Sequence, residues 1–392
     1  MNLSVHAFDI NYKVLARSSE TDSYKMPAFS PLRGVTPQIN DNNEIAFKVP
    51  ANLLIETEKI FFNTDKDSKL IYESPRNTFL SDPVLTVDGI IFTLNDTAGT
   101  KAIMKYFFKS EKIKTLLEPN KFKLVTIYEV HQNEDAIYFR AKDEENKTGI
   151  YSINLEEKKI EVKTLFKTGQ KVQGKKISYI FPLDMNGRYG VCKVRFTHLR
   201  EDAPDLIVRL DLKDFVHKII IADKDFSKRS KYTGFRNSSS VNKYGSVALI
   251  ATTKTKTKVL LNHFKKDDVT TEIATTSKKI LSISHFSPDI NNFDVIVFRA
   301  KDSRERENVY IANTQTSKKI MRQYQIIRTD KKKPAVLMHR KNTPVFGGHP
   351  KINNKGTIVV NTYIRHLDTY TNEPLDIQSA LVGVYDAPSL LK

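Results

Sequence analysis

A segment of about a dozen residues recurs along this chain, and an internal repeat constrains a fold more tightly than any local propensity does. Thr36-Pro37-Gln38-Ile39-Asn40-Asp41-Asn42-Asn43-Glu44-Ile45-Ala46-Phe47 returns as Ser287-Pro288-Asp289-Ile290-Asn291-Asn292-Phe293-Asp294-Val295-Ile296-Val297-Phe298. It returns again as His349-Pro350-Lys351-Ile352-Asn353-Asn354-Lys355-Gly356-Thr357-Ile358-Val359-Val360. Weaker copies run over 85–92, 130–139, 184–192 and 240–249. Taking Phe47, Phe92, Phe139, Cys192, Leu249, Phe298 and Val360 as equivalent, the intervals are 45, 47, 53, 57, 49 and 62 residues. Such spacing suits about four short strands per unit. Within each unit an Asn/Asp/Gly cluster supplies residues that tolerate positive φ in a tight turn, and an apolar, β-rich run follows it. A third run comes after a polar loop, as at 149–153, 308–312 and 382–385. A Lys-rich turn then leads to a fourth run, well marked at 159–166.

Seven units of this kind predict an all-β chain folded as a seven-bladed β-propeller, one domain over 1–392. The last unit lacks a fourth strand, whereas residues 12–17 have the pattern of one. The N-terminal strand is therefore expected to complete the last blade and protect its edge. An open solenoid and a two-domain sandwich are the rival architectures. No long 3.6-residue periodicity argues for helices, and Pro119, Pro334 and Pro344 fall between repeats, where they suit connections.

The repeat pattern Pro-x-Ile-Asn-x-x-Gly-x-hydrophobic-Ala-Phe resembles repeats of bacterial β-propellers found in exported and cell-surface proteins. The copy from Ser287 to Phe298, followed by Asn308-Val309-Tyr310, is also similar to the TolB-type repeat. This resemblance covers nearly the whole chain and implies a rigid binding scaffold at a bacterial envelope, exported to the periplasm, cell surface or medium. It implies no catalytic residue. The copies depart from the pattern at Cys192, in the missing Pro and Ile of the fifth copy, and where Gly is Asn or Asp. The recurring Pro, Asn and Phe positions read as turn and core residues.

Composition narrows the function classes. At 40% hydrophobic and 28% charged residues the chain is too apolar for intrinsic disorder. It has no apolar run long enough for a membrane-spanning helix and no basic-then-apolar start, so a leader has been removed or the protein is cytoplasmic. A single cysteine, Cys192, excludes an intramolecular disulfide and multi-cysteine metal centres, and its apolar strand context predicts a buried, inert thiol. None of the nine histidines forms H-x-x-x-H or H-E-x-x-H, and the elbow, phosphate-loop and dinucleotide signatures are missing. No cofactor is expected. Asp65-Lys66-Asp67 and Asp223-Lys224-Asp225 begin like calcium loops but lack the later Gly and Glu, so polar turns are expected. A propeller can still assemble a site from its inner strands. His131, His285 and His349, with Asp184 and Asp289, are the candidates for a base or a metal there, against a reading as water- and backbone-satisfied turn residues.

The chain carries a net charge of +18. In a propeller, connections from a fourth strand to the next inner strand share a face with the loops joining strands two and three. Those connections are basic: Lys167, Lys171, Lys175 and Lys176 in one, Lys228, Arg229, Lys231 and Arg236 in another, and Lys331, Lys332, Lys333, Arg340 and Lys341 before the last blade, with Arg33 and Arg76 in others. Tyr179, Phe181, Tyr232, Phe235 and Phe346 interleave with them, and His349 closes the longest connection. The insertion over 366–374 would share that face. A focused positive face favours an anionic partner, an acidic glycan, lipopolysaccharide or acidic protein surface, with nucleic acid less favoured. Evenly spread solubilising lysines are the alternative, and Lys158-Lys159, Lys278-Lys279 and Lys318-Lys319 on the other face dilute the asymmetry. The expectation is a non-enzymatic scaffold whose basic loop face binds an anionic partner. The rivals are a hydrolase or lyase acting on an acidic polymer at the channel mouth, and an oligomerising structural component.

Overall fold

The computed structural model describes residues 10–18, 26, 30, 32, 34–52, 55–64, 68–134, 136–157, 159–197, 204–214, 216–264, 268–328, 334–339, 343–367 and 374–391. Its strands form seven antiparallel sheets arranged as the blades of a propeller. Blade 1 is Gln38–Ile39, Ile45–Val49, Lys59–Asn63 and Ser68–Glu73, from the channel outward. Blade 3 is Leu124–Asn133, Ala136–Asp143, Thr148–Asn154 and Lys163–Lys167, so its fourth strand begins four residues later than the pattern suggested. We call the strands of each blade a to d. In every blade strand a ends in the a–b turn on one face of the ring, and the b–c loops and d–a connections emerge on the other.

The last blade closes as the repeat count requires. Asn11–Arg17 pairs antiparallel with Pro374–Tyr385, in register Asn11↔Tyr385 through Arg17↔Ala380. The buried Tyr12 hydroxyl fastens this strand by donating to the Ile320 carbonyl (2.6 Å) and accepting from Gln325 Nε2 (2.9 Å). Burial pushes its pKa up to about 12.

Apolar packing lies between the blades rather than in one central core. The described residues form seven clusters, one at each seam. The repeated strand-b position explains why. Phe47, Phe92, Phe139, Cys192, Leu249, Phe298 and Val360 are all fully buried, each packing toward the preceding blade. Several stack on an aromatic of strand c, as Phe298 does on Tyr310 at 5.3 Å. At Cys192 burial holds the thiol at about 12, the inert state expected of it.

Because strand residues alternate faces, the next position points toward the following blade. There the chain places polar groups: Lys48 donates to Leu80 O, Arg140 to Ile180 O, Lys193 to Phe235 O, Arg299 to Gly348 O, and Asn361 to Leu32 O and Val35 O. Each stitches strand b to the inner strand of the next blade or, for Asn361, to the segment that leads into it. Burial pulls Lys193 down to about 8 and Arg299 to about 10, with Asp205 and Glu307 opposing. Phe181 and Phe286 cover these cations at 3.6 and 4.5 Å.

Two features depart from a regular four-stranded blade, and the second corrects the placing of Pro334 in a connection. The inner strand is broken in five blades, for example into Phe79–Leu80 and Val84–Leu85, both paired with Gly89–Asp96. Pro83, Pro182 and Pro288 sit in such breaks, where no ladder donor is needed. The long connection before blade 7 is partly sheet: Ile326–Arg328 pairs with Pro334–Leu337, which pairs with Ile358–Leu367. Pro334 thus opens a strand.

Candidate functional site

The seven a–b turns surround a channel of about 1090 Å3, lined by residues of every blade. Asparagine builds its mouth. The side-chain oxygens of Asn40, Asn242, Asn291 and Asn353 accept backbone N–H groups of their own turns, such as Tyr244 and Ser246 for Asn242, both at 3.0 Å. Three of their amide groups reach sideways: Asn242 donates to Asn291 O (3.1 Å), Asn291 to Asn353 O (3.3 Å) and Asn353 to Asn40 O (2.8 Å). A second row lies beside it, with the N–H groups of Lys243, Asn292 and Asn354 donating to Asn292, Asn354 and Asp41 side chains. Blades 5, 6, 7 and 1 are therefore tied rim to rim. The repeated Asn-Asn pair is a turn former and a tie between blades at once.

Deeper in, carboxylates take over the tying. Asp82 accepts the Thr36 N–H (3.1 Å), Asp184 the Val241 N–H (2.9 Å) and Asp289 the Ile352 N–H (2.8 Å), each linking an even-numbered blade to a neighbour. Lys351 projects beside the last of these, its Nζ 3.1 Å from Asp289 Oδ1. Burial opposes the charge on Lys351, but Asp289 and Asp184 more than offset it, and its pKa is raised. Burial pushes both carboxylates upward in turn, with Lys351 opposing.

The histidine candidates separate into two places. His131 Nε2 donates to Leu183 O in blade 4 (3.1 Å), and burial lowers its pKa to about 4. His349 Nδ1 accepts the Ser287 N–H (2.8 Å), and burial again lowers it to about 4. His285 is exposed and lies 4.3 Å from the Phe286 ring that also meets His349 at 5.3 Å, whereas His131 stands apart on the channel lining. Burial, Arg299 and Arg236 hold its pKa low. At neutral pH the two buried imidazoles are uncharged and tied to backbone. No group of three His, Cys, Asp or Glu side chains suited to a metal ion occurs among the described residues.

Those basic residues of the d–a connections that are described fall on the face opposite the channel mouth. Lys331, Lys332, Lys333, Arg340 and Lys341 lie outside the described residues, as do Arg33, Asp65, Lys66, Asp67 and most of the insertion at 366–374. Lys228, Arg229, Lys231 and Arg236 are exposed in the connection from blade 4 to blade 5. The hairpin of Lys171–Val172 and Lys175–Ile180 packs against that connection, with Lys175 Nζ 4.6 Å from the centre of the Phe226 ring. Not every expected cation is free: Lys167 pairs with Asp143 and Arg76 with Glu56. The interleaved aromatics are mostly structural, Phe346 being fully buried in the seam between blades 6 and 7 and Phe181, Tyr232 and Phe235 also buried. Tyr179 alone of that set is exposed. Asp223 accepts from the N–H groups of Asp225, Phe226 and Asp205, the polar turn expected of it.

The channel wall itself is acidic. Asp41, Glu44, Asp88, Glu134, Asp184 and Asp289 face it, against Lys243 and Lys351. Such a wall disfavours an acidic polymer at the channel mouth. Sequence reasoning named only Asp184 and Asp289 of this set, because the other four come from turns of three blades without a shared motif.

No family model and no curated protein matches this sequence. Solved structures do. An oligogalacturonate lyase in complex with manganese superposes with a TM-score of 0.53 at 11% identity, over 98% of this chain and 99% of the lyase. A puromycin-hydrolyzing peptidase of Mycobacterium tuberculosis gives 0.52 at 8% identity over 93% of this chain, which spans only 56% of the peptidase. TolB of Acinetobacter baumannii gives 0.42 at 12% identity, over 80% of this chain and 97% of that one. The fold is shared. At these identities the likeness extends to architecture alone.

Proposed function

We propose that this protein is a non-catalytic binding scaffold that captures an anionic partner, an acidic glycan, lipopolysaccharide or acidic protein surface, on the face carrying its d–a connections. The observation that carries this reading is the union of two basic segments in the sector of blades 4 and 5. Lys175 over Phe226 joins the 171–180 hairpin to the 223–236 connection. Lys171, Lys176, Lys228, Arg229, Lys231 and Arg236 are exposed there, with no carboxylate partner among the described residues. Unpaired cations held on a rigid rim focus a positive potential, which speeds association with anions and makes it salt-sensitive. Lys331, Lys332, Lys333, Arg340 and Lys341, outside the described residues, add five cations to the sequence that precedes blade 7. The resemblance to envelope propellers favours an exported location.

The test is binding to a sulfated polysaccharide, lipopolysaccharide and polyglutamate across a salt series. Changing Lys228, Arg229, Lys231 and Arg236 together to Ala should weaken capture on the order of tenfold, since exposed pairs each contribute roughly 0.2–1 kcal/mol. Capture that ignores both salt and the four substitutions would refute the reading.

A further inference from the structure

The turn tips around the channel mouth carry side chains that the turns do not require. In the four turns built on Asn40, Asn242, Asn291 and Asn353, the position two residues on is Asn42, Tyr244, Phe293 and Lys355. Its backbone N–H donates to the turn asparagine whatever the side chain, as Asn42 (2.9 Å), Tyr244 (3.0 Å) and Phe293 (3.0 Å) show. Yet Phe293 is 73% and Tyr244 39% exposed. Val87, at the tip of the blade 2 turn, is fully exposed as well. The two aromatics stand on adjacent turns bound together by Asn242 to Asn291 O and by Lys243 N–H to Asn292 Oδ1. Their positions are thus fixed before any contact, which lowers the ordering cost of binding. Large apolar groups held rigidly in water are the usual anchors of protein interfaces.

What lies between these tips selects the partner. In a chain of net charge +18, the channel wall presents six carboxylates and two lysines. Lys351 is engaged by Asp289, and Asp88 is paired with the buried Lys105 (2.5 Å), while Asp41 and Glu44 accept from the neutral Asn354 and Asn40. The wall therefore has negative potential to spare, beside the exposed tips Tyr244 and Phe293.

We propose that the a–b turn face is a docking surface for a polypeptide segment that carries basic residues flanked by apolar ones. An ammonium or guanidinium group enters the channel mouth, and the flanking apolar side chains cover Tyr244 and Phe293. This site is on the opposite face from the basic loops and is independent of them.

The test uses an N-acetylated, C-amidated peptide of alternating Lys and Leu, eight residues long, and its Glu/Leu counterpart, measured against the full chain by calorimetry. The Tyr244→Asn/Phe293→Asn double variant adopts side chains the equivalent turns already tolerate, so it keeps its melting temperature. The Lys/Leu peptide is expected to bind the parent, with at least tenfold weaker binding to the double variant and several-fold weaker binding to Glu134→Gln. Replacing Lys228, Arg229, Lys231 and Arg236 leaves this binding unchanged. Equal binding by parent and double variant, preference for the Glu/Leu peptide, or no binding of the Lys/Leu peptide would each overturn the proposal. Because the loop variant reads the other face, failure here is distinct from failure of anion capture.

Discussion

Truncating Asn242 to Ala removes a fully buried amide that makes four hydrogen bonds. Its oxygen accepts from the Tyr244 and Ser246 N–H groups, and its nitrogen donates to Asn291 O and Asp294 Oδ1 (2.9 Å). Tyr244 lies at the exposed tip, so its N–H regains water. Ser246 is buried, and its N–H is left without a partner, whereas the Asn291 carbonyl keeps the Asp294 N–H (3.2 Å). A buried group so orphaned costs about 1–3 kcal/mol, and the remaining bonds about 0.5–1.5 kcal/mol each, giving a loss on the order of 4 kcal/mol. Asn40→Ala is the control. Asn40 is half-buried on the channel rim, and the N–H groups it serves, Asn42 and Glu44, are within reach of water, so the expected loss is about 1 kcal/mol. Urea unfolding followed by circular dichroism should show a much larger drop in midpoint for Asn242→Ala, with little change in slope. Equal shifts for the two variants would refute the view that the asparagine row is a tie between blades rather than a set of separate turns.

Acid should weaken the fold through His131 and His349. Burial holds both at about 4, below the ordinary value of 6.5, so their contribution is full above pH 6.5 and is lost as pH falls toward 4. The scale is on the order of 3 kcal/mol per histidine at most. A His131→Asn/His349→Asn variant should melt at a temperature that varies less between pH 6.5 and 4.5 than the parent's does; an identical dependence would sink the assignment. Tyr12→Phe deletes the hydroxyl that bonds Ile320 O and Gln325 and should lower stability by about 1–2 kcal/mol at pH 7 in thermal melts, whereas no change would mean the closing strand is held by its ladder alone.

The architecture was legible because the repeat couples two demands in one segment, a turn that needs Asn or Gly and a strand whose next apolar residue must fill a seam. Phe47, Phe139 and Phe298 answer the second demand as read, and the 12–17 strand answers the edge problem of blade 7. The polar position beside each was not read, because Lys48, Arg140, Lys193 and Arg299 look like surface cations in sequence. Only the blade-to-blade packing shows that a carbonyl of the next blade's inner strand awaits each one. The inner-strand breaks escaped notice for a related reason, since Pro83 and Pro182 do not reveal which ladder they interrupt. Of the candidate site, Asp184, Asp289, His131 and His349 lie on inner strands, but their roles depend on partners 52 to 63 residues away: Val241, Ile352, Leu183 and Ser287.

The pairing of Asn11 with Tyr385 and of Arg17 with Ala380 also sets an order of events. A ribosome or a translocation channel delivers residues 11–17 long before residues 374–385 exist to receive them. Throughout that interval the first strand is an unpaired edge and blade 7 has no outer strand, so six seams can assemble while the seventh stays open. The contacts that complete the ring span the largest sequence separations in the molecule and form last, after the slowest loop closure. Until then the nascent chain presents the open edge that aggregation exploits, which makes the closing strand the natural place for a chaperone to hold.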